Sequence, residues 1–140
     1  MSDTSGLKVV FVAGFGPLVK DPVASKAFYV DALGLPLEQQ AGAGYYHSEK
    51  LDGVRHFALW PLSAAAQSCF GADAWPADVP EPHSWLEFDV EDVATATAAL
   101  TTRGYRLLVE ARKEPWGQTV TRLLSPEGIL VGLTFTPSMR

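Results

Sequence analysis

Two histidines and a glutamate lie close together in a short polar stretch of the sequence. His47 and Glu49 precede Asp52-Gly53, and His56 follows it. Asp-Gly between alternating residues is typical of a two-residue hairpin turn, which would bring these three side chains together. Two imidazoles and a carboxylate could bind a divalent metal ion or act as an acid–base pair. They could also form only a cross-strand contact at a solvated hairpin tip, which would stabilise the fold by about 0.2–1 kcal/mol.

The turn also predicts the register of the hairpin. The expected cross-strand pairs are Leu51 with Val54, Glu49 with His56, His47 with Ala58, and Tyr45 with Trp60. Because side chains alternate between the two faces of a strand, one face should carry a polar and aromatic set: Tyr45, His47, Glu49, His56, Ala58 and Trp60. Phe57 and Leu59 should point the other way, towards the helices. The polar set is therefore a candidate ligand-binding face.

Four further residues could contact a ligand. Trp85 and Glu87 share a face of one strand, so Glu87 could meet a cationic or hydroxylated ligand or pair with a neighbouring arginine. Arg122 could bind an anionic ligand or form a salt bridge, and the turn after it leaves its facing open. Trp116 lies in a predicted loop, where a large aromatic side chain serves as a lid or an interface residue. Cys69 has no adjacent residue in the sequence that could activate it as a nucleophile, so we predict that it is a small buried hydrophobic residue.

The elements that must position these residues occur twice along the chain. Asp21 and Asp92 are 71 positions apart, and Gly34 and Gly104 are 70 apart. In each pair the aspartate suits a helix N-cap and the glycine suits the position just after a helix. Because these separations are half the chain length, we interpret the chain as one unit used twice.

Each half reads as a strand, a helix and three shorter strands. The predicted strands of the first half are Leu7–Phe15, Leu37–Gln40, Tyr45–Leu51 and Val54–Trp60, with a helix over Val23–Leu33. Those of the second half are Trp85–Val90, Arg106–Ala111, Gln118–Leu124 and Ile129–Phe135, with a helix over Val93–Arg103. Between them a short Ala-rich helix over Ser63–Ser68 precedes a Pro-rich connection. We expect module 1 at about residues 5–61, a linker at about 62–83 and module 2 at about 84–137.

Composition excludes several classes of function. The chain has 140 residues, 47% hydrophobic and 19% charged, with a net charge of −5, so it does not suit a nucleic-acid backbone. One cysteine cannot form an intrachain disulfide or a Cys-rich zinc module. No apolar run approaches the roughly 18 residues of a membrane span, and the N-terminus lacks an export signal. We therefore expect a single-domain cytoplasmic protein. Phosphate-binding glycine motifs and a Gly-x-Ser-x-Gly motif are absent from the sequence.

Three segments resemble the vicinal oxygen chelate superfamily, which comprises glyoxalases, bleomycin-resistance proteins and extradiol dioxygenases. They are Phe28–Leu35, Phe88–Val93 and Ser125–Leu130, and the segment Pro115–Gly117 is most similar to the bleomycin-resistance branch. The resemblance covers nearly the whole chain. It implies an α+β fold in which two βαβββ modules form a cupped mixed β-sheet with helices on the outer face.

The same resemblance bears on cofactors and partners. Metal-dependent members chelate one divalent ion with His and Glu or Gln on the inner face of the sheet. The matching positions here are Gly14, Trp60, Trp85 and Gly132, which offer no such ligands. We therefore predict no metal cofactor, although a displaced divalent ion at the hairpin stays open. The resemblance further implies a homodimer.

Our first functional hypothesis is a metal-independent protein that binds a planar or cationic, drug-like small molecule, as in antibiotic resistance. The predicted ligand-binding residues are Tyr45, His47, Glu49, His56, Trp60, Trp85, Glu87, Trp116 and Arg122. The alternative is a lyase, isomerase or dioxygenase that uses a displaced metal or an acid–base pair at His47, Glu49 and His56.

Overall fold

A computed structural model describes residues 7–40 and 44–140 of the chain. The predicted start of module 1 near residue 5 lies outside these ranges. The strands are β1 (Val9–Val19), β2 (Glu38–Gln39), β3 (Tyr46–Ser48), β4 (Phe57–Pro61), β5 (Ser84–Val90), β6 (Val109–Lys113), β7 (Thr119–Leu124) and β8 (Leu130–Phe135). The helices are α1 (Pro22–Lys26), which continues as a π-helical segment (Ala27–Ala32), α2 (Leu62–Phe70) and α3 (Val93–Thr102), and a 3₁₀ turn follows at Pro137–Met139.

All eight strands form one mixed sheet, in the order β2-β3-β4-β1-β5-β8-β7-β6. Within each half the first strand runs parallel to the last, β1 with β4 and β5 with β8. The halves meet where β1 and β5 pair antiparallel at the centre of the sheet. This arrangement confirms the predicted α+β fold with a cupped mixed sheet, and it repeats the same strand order on both sides of the centre.

Aspartates begin the two outer helices as the sequence predicts. Asp21 accepts a hydrogen bond from the backbone N–H of Ala24 at 3.1 Å, and Asp92 accepts one from Ala94 at 3.1 Å. These bonds satisfy backbone donors that the first helical turn leaves without a partner. Beyond the second helix Gly104 has a φ of 86°, a conformation that glycine adopts without steric cost.

Several predicted elements have different bounds in the structure, and two of these differences have a clear physical cause. β1 continues four residues past Phe15, because Gly16 lets the carbonyl of Ala58 and the indole of Trp85 approach where a side chain would clash. The first helix is not α-helical throughout, since the N–H of Leu33 donates to the carbonyl of Phe28 five residues earlier. The sequence pattern alone does not distinguish this wider π-helical turn from an α-helix.

The three helices cover different faces of the sheet. The helical segment after α1 packs Tyr29 on Phe57, and α3 packs Ala96 against Leu133, so both lie on the face opposite the polar hairpin side chains. The linker helix α2 instead packs among Ala58, Trp85 and other core residues on the polar side. It therefore lies on the same side of the sheet as the polar hairpin side chains, a placement for which the sequence has no signal.

Cys69 lies in α2 and is buried, as predicted. Burial raises the pKa of its thiol to about 11, so the reactive thiolate is scarce at neutral pH. Among the described residues, no helix is long and apolar enough to cross a membrane.

Candidate functional site

One cavity of about 1030 Å³ occupies the concave side of the sheet. We call it the cup. Its lining includes all nine side chains that the sequence predicts for ligand binding: Tyr45, His47, Glu49, His56, Trp60, Trp85, Glu87, Trp116 and Arg122. Ligand pockets usually measure about 300–1,000 Å³, so the cup can hold a drug-sized molecule.

The hairpin has the predicted register but a shorter ladder. His47 pairs with Ala58 as expected, between the pairs Tyr46 with Leu59 and Ser48 with Phe57. The ladder ends at Ser48, so Glu49 and His56 are not a paired position on regular strands. Their side chains nevertheless meet, because the same alternation directs them towards the cup.

Glu49 connects the two histidines through one oxygen. Its Oε2 accepts a hydrogen bond from Nδ1 of His47 at 2.9 Å and from Nδ1 of His56 at 2.5 Å. Desolvation alone would raise the pKa of the Glu49 carboxyl, but the bonds from both imidazoles outweigh it and lower that pKa. The carboxylate is therefore ionised at neutral pH and holds both rings by their Nδ1 atoms.

Tyr45 completes this array on the far side of His56. Its hydroxyl lies 2.7 Å from Nε2 of His56. Burial, with the charges of Glu87 and Glu49, raises the pKa of the Tyr45 hydroxyl, which stays protonated at neutral pH. The rings of Tyr45, His47 and His56 also stack on one another, with centroids 5.5–6.3 Å apart and interplanar angles of 23–29°. We call these four residues the hairpin array: Tyr45, His47, Glu49 and His56.

The opposite wall of the cup holds a buried ion pair. Nη1 of Arg122 lies 3.1 Å from Oε2 of Glu87, and the two side chains are only 1% and 11% exposed. Gln118 donates to the other Glu87 oxygen at 3.0 Å and accepts a hydrogen bond from the indole of Trp116 at 2.9 Å. The pairing of Glu87 with an arginine is one of the two readings that the sequence left open. We call this set the buried pair network: Glu87, Arg122, Gln118 and Trp116.

The tryptophans play unequal parts in the cup. Trp85 is 4% exposed and its indole donates to the carbonyl of Ala58 at 3.2 Å, so it is mainly a core residue. Trp60 stands edge-on to Trp85 and carries the Arg122 guanidinium 4.8 Å from its ring centroid. Trp116 is 59% exposed at the rim. A ligand can therefore stack most readily on Trp116 and the hairpin array.

The centre of the sheet does not fit a chelated metal ion. Register places Glu87 beside Gly14 on β1 and beside Gly132 on β8, while Trp85 pairs with Gly16. Glycines supply no side-chain ligand, and the Glu87 carboxylate already accepts from Arg122 and Gln118. Gly14 and Gly132 act in packing, since a Cβ at Gly14 would lie 2.5 Å from the carbonyl oxygen of His56 and one at Gly132 would lie 3.0 Å from Cγ of Glu87.

Some lining residues were missed by sequence reasoning, among them Gln118, Arg55 and Thr136. Gln118 directly precedes β7 and stands four residues before Arg122, so alternation continued from the strand could have identified it. Arg55 donates to the carbonyl of Met139, a contact across 84 residues for which the sequence has no signal. The two arginines also balance Glu49 and Glu87, so the cup is less acidic than the whole chain.

Comparisons with known proteins agree with this architecture. One similar structure is a glyoxalase/bleomycin resistance protein/dioxygenase superfamily member from Vibrio splendidus 12B01. It is 17% identical, and the alignment covers 89% of this chain and 97% of that one, with a TM-score of 0.58. Methylmalonyl-CoA epimerase from Mycobacterium tuberculosis is 22% identical over 99% of this chain and 95% of its own, with a TM-score of 0.54. A variant of the Streptomyces coelicolor epimerase, in complex with 2-nitronate-propionyl-CoA, is 19% identical over 92% and 99%, with a TM-score of 0.53.

At identities of 17–22%, the likeness to these solved structures shows the fold alone. The comparison with curated protein sequences found no match. The sequence model of one family matches residues 15–133, which is most of the chain. The chain therefore belongs to the Glyoxalase/Bleomycin resistance protein/Dioxygenase superfamily.

Proposed function

We propose that this protein binds a planar, drug-like organic molecule in the cup, without a metal chelate at the centre of the sheet. The observation that carries the proposal is a cavity of about 1030 Å³ whose walls combine aromatic rings with polar groups. Such a lining is typical of small-molecule sites, because rings supply contact area and a few polar groups orient the ligand.

The exposed aromatic surface indicates how the ligand would bind. Trp116 and the stacked hairpin rings offer flat faces, while Glu49 is a carboxylate paired with imidazoles and not with a guanidinium. A planar molecule would stack on the rings, and a cationic group on it would lie near Glu49. This is the ligand chemistry of the bleomycin-resistance-like hypothesis, and sequestration of such a compound would make it a resistance function.

Tryptophan fluorescence tests this proposal. A panel of planar neutral and cationic compounds should quench the emission of the wild-type protein, and Trp116→Ala should weaken binding by about two- to tenfold, since stacking on one ring contributes roughly 0.5–1.5 kcal/mol. Trp75→Phe is the matched control, because Trp75 lies outside the cup and donates to the carbonyls of Val79 and Pro80. Absence of quenching by every compound would contradict the proposal.

A second candidate is an enzyme of the lyase, isomerase or dioxygenase class. The specific observation in its favour is the hairpin array, in which Glu49, two imidazoles and a protonated Tyr45 form one connected set of proton donors and acceptors. Superfamily folds similar to this one include methylmalonyl-CoA epimerases. One variant distinguishes an enzyme from a binder. If the protein is an enzyme, the compound should still bind to His56→Gln and quench its tryptophan emission, but the variant should no longer convert the compound.

A homodimer also stays a proposal. It is supported by large apolar side chains of β1 that are 44–55% exposed: Val9, Val10, Val12 and Phe15. Apolar surface of this kind on a central strand is typical of a surface that another chain covers.

A further inference from the structure

We infer that the hairpin array is a binding site for a divalent transition-metal ion, with His47, Glu49 and His56 as its ligands. One donor atom from each residue lies within 4.8 Å of the others. The site is distinct from the sheet centre, where Gly14 and Gly132 remove the side-chain ligands. The inference goes beyond the proposed function, because it assigns a metal ion to the same hairpin array on which the organic ligand would stack.

The donor set points to the class of metal. Two imidazole nitrogens and one carboxylate oxygen suit zinc and its neighbours in the first transition row, whereas magnesium and calcium prefer oxygen ligands. Two His and one Glu also leave a coordination position open for water or substrate, as in catalytic zinc sites. Here that position would face the cup, because all three residues line it.

The three ligands already converge on one point. Oε2 of Glu49 lies 2.9 Å from Nδ1 of His47 and 2.5 Å from Nδ1 of His56. Metal–ligand bonds of about 2.0–2.2 Å would replace these two hydrogen bonds after a small rotation of the Glu49 side chain. That side chain is 51% exposed, so it can rotate without disturbing the core.

Tyr45 supplies an independent observation in favour of the site. A histidine that binds a metal through one ring nitrogen usually donates its other N–H to an oxygen, which fixes the ring. The Tyr45 hydroxyl lies 2.7 Å from Nε2 of His56, on the side away from Glu49. When Nδ1 binds the metal, the ring proton moves to Nε2, and this N–H donates a hydrogen bond to the Tyr45 oxygen. The stacked rings then hold both imidazoles in place.

Zinc titration of the purified full-length chain tests the inference. After removal of metal with a chelator, equilibrium dialysis against Zn²⁺ should load one ion per chain, and excess Mg²⁺ should not displace it. His47→Gln, His56→Gln and Glu49→Gln should each weaken Zn²⁺ binding by more than about 100-fold, since loss of a mere supporting partner costs about 10–100-fold. Tyr45→Phe should weaken Zn²⁺ binding by about 10–100-fold, because Tyr45 only supports a ligand.

His83→Gln is the matched control. His83 is the third histidine of the chain, is exposed before β5, and contacts Leu18 through its backbone carbonyl. This variant should bind Zn²⁺ like wild type. Circular dichroism and thermal unfolding without metal would show that the hairpin variants are folded. Wild-type affinity in both His47→Gln and His56→Gln would overturn the inference, as would loss of Zn²⁺ in Glu87→Gln with retention in His47→Gln. Quenching of tryptophan fluorescence by planar compounds, measured on the metal-free protein, tests the proposed function independently of Zn²⁺ binding.

Discussion

The two walls of the cup contain similar residue types but use them differently. On the module 2 wall, Glu87 and Arg122 are almost fully buried and bond to each other. On the module 1 wall, Glu49 is half exposed and, within the described part of the chain, bonds to His47 and His56, which are 20% and 22% exposed. Both walls hold a carboxylate, and the module 2 wall pairs its carboxylate with a guanidinium.

This difference separates a structural role from a chemical one. A guanidinium is a permanent cation in proteins and offers no site for proton exchange or metal binding, and in the buried pair network it is bonded to a buried carboxylate. Imidazoles can exchange protons, bind metals and be replaced with little loss of packing. We therefore assign stability chiefly to the module 2 wall and chemistry chiefly to the module 1 wall. Three substitutions test this comparison by the free energy of unfolding.

The largest loss is expected for Arg122→Met. It leaves the Glu87 carboxylate buried without its cation, which costs roughly 3–5 kcal/mol. Urea unfolding should show this loss, whereas Glu87→Leu combined with Arg122→Met should recover much of it, because no unpaired charge remains. A loss below about 1 kcal/mol for Arg122→Met would mean that water solvates Glu87 in the native protein.

An intermediate loss is expected for Gly14→Ala. The new Cβ would lie 2.5 Å from the backbone carbonyl oxygen of His56, so two strands must move apart. Overpacking of this kind costs about 1–3 kcal/mol. Gly132→Ala is the matched control in module 2, since the three atoms nearest to its Cβ would belong to side chains, the closest 3.0 Å away. Equal losses in the two variants would contradict this account.

The smallest loss is expected for Glu49→Gln. Exposed charged contacts contribute about 0.2–1 kcal/mol, and Gln can still accept one of the imidazole hydrogen bonds. The melting temperature of the metal-free protein should therefore change little. If Glu49→Gln destabilised the protein as much as Arg122→Met, the hairpin array would be a structural element and the contrast between the walls would be wrong.

Local patterns predicted the module 1 wall better than the module 2 wall. Asp52-Gly53 and simple alternation sufficed to place His47 opposite Ala58 and to bring His56 and Glu49 together. The same reasoning left the facing of Arg122 open. Its position depends on β7 pairing with both neighbours, and the β6–β7 register shifts between Val109 and Arg112. Long-range pairing of this kind has no local signal in one sequence.

Other features were beyond sequence reasoning for physical reasons. Gly16 and Pro17 resemble a turn, yet they lie inside β1 because Ala58 approaches Gly16 closely. The linker helix α2 was predicted over Ser63–Ser68, but its place on the polar side of the sheet depends on contacts with Ala58 and Trp85. The spacing of apolar residues predicts an apolar face on the helix, but it does not predict which face of the sheet the helix covers.

The antiparallel pairing of β1 with β5 has a consequence for the kinetics of binding. A ladder that extends from Val9 to Pro17, with two shifts of register, joins the two modules, so they cannot separate about a hinge as independent domains do. Entry to the cup should therefore not require slow domain closure, and exposed rim side chains such as Trp116 rotate within picoseconds to nanoseconds. Association of a ligand should be limited by diffusion and fit, and differences in affinity between ligands should arise from their dissociation rates.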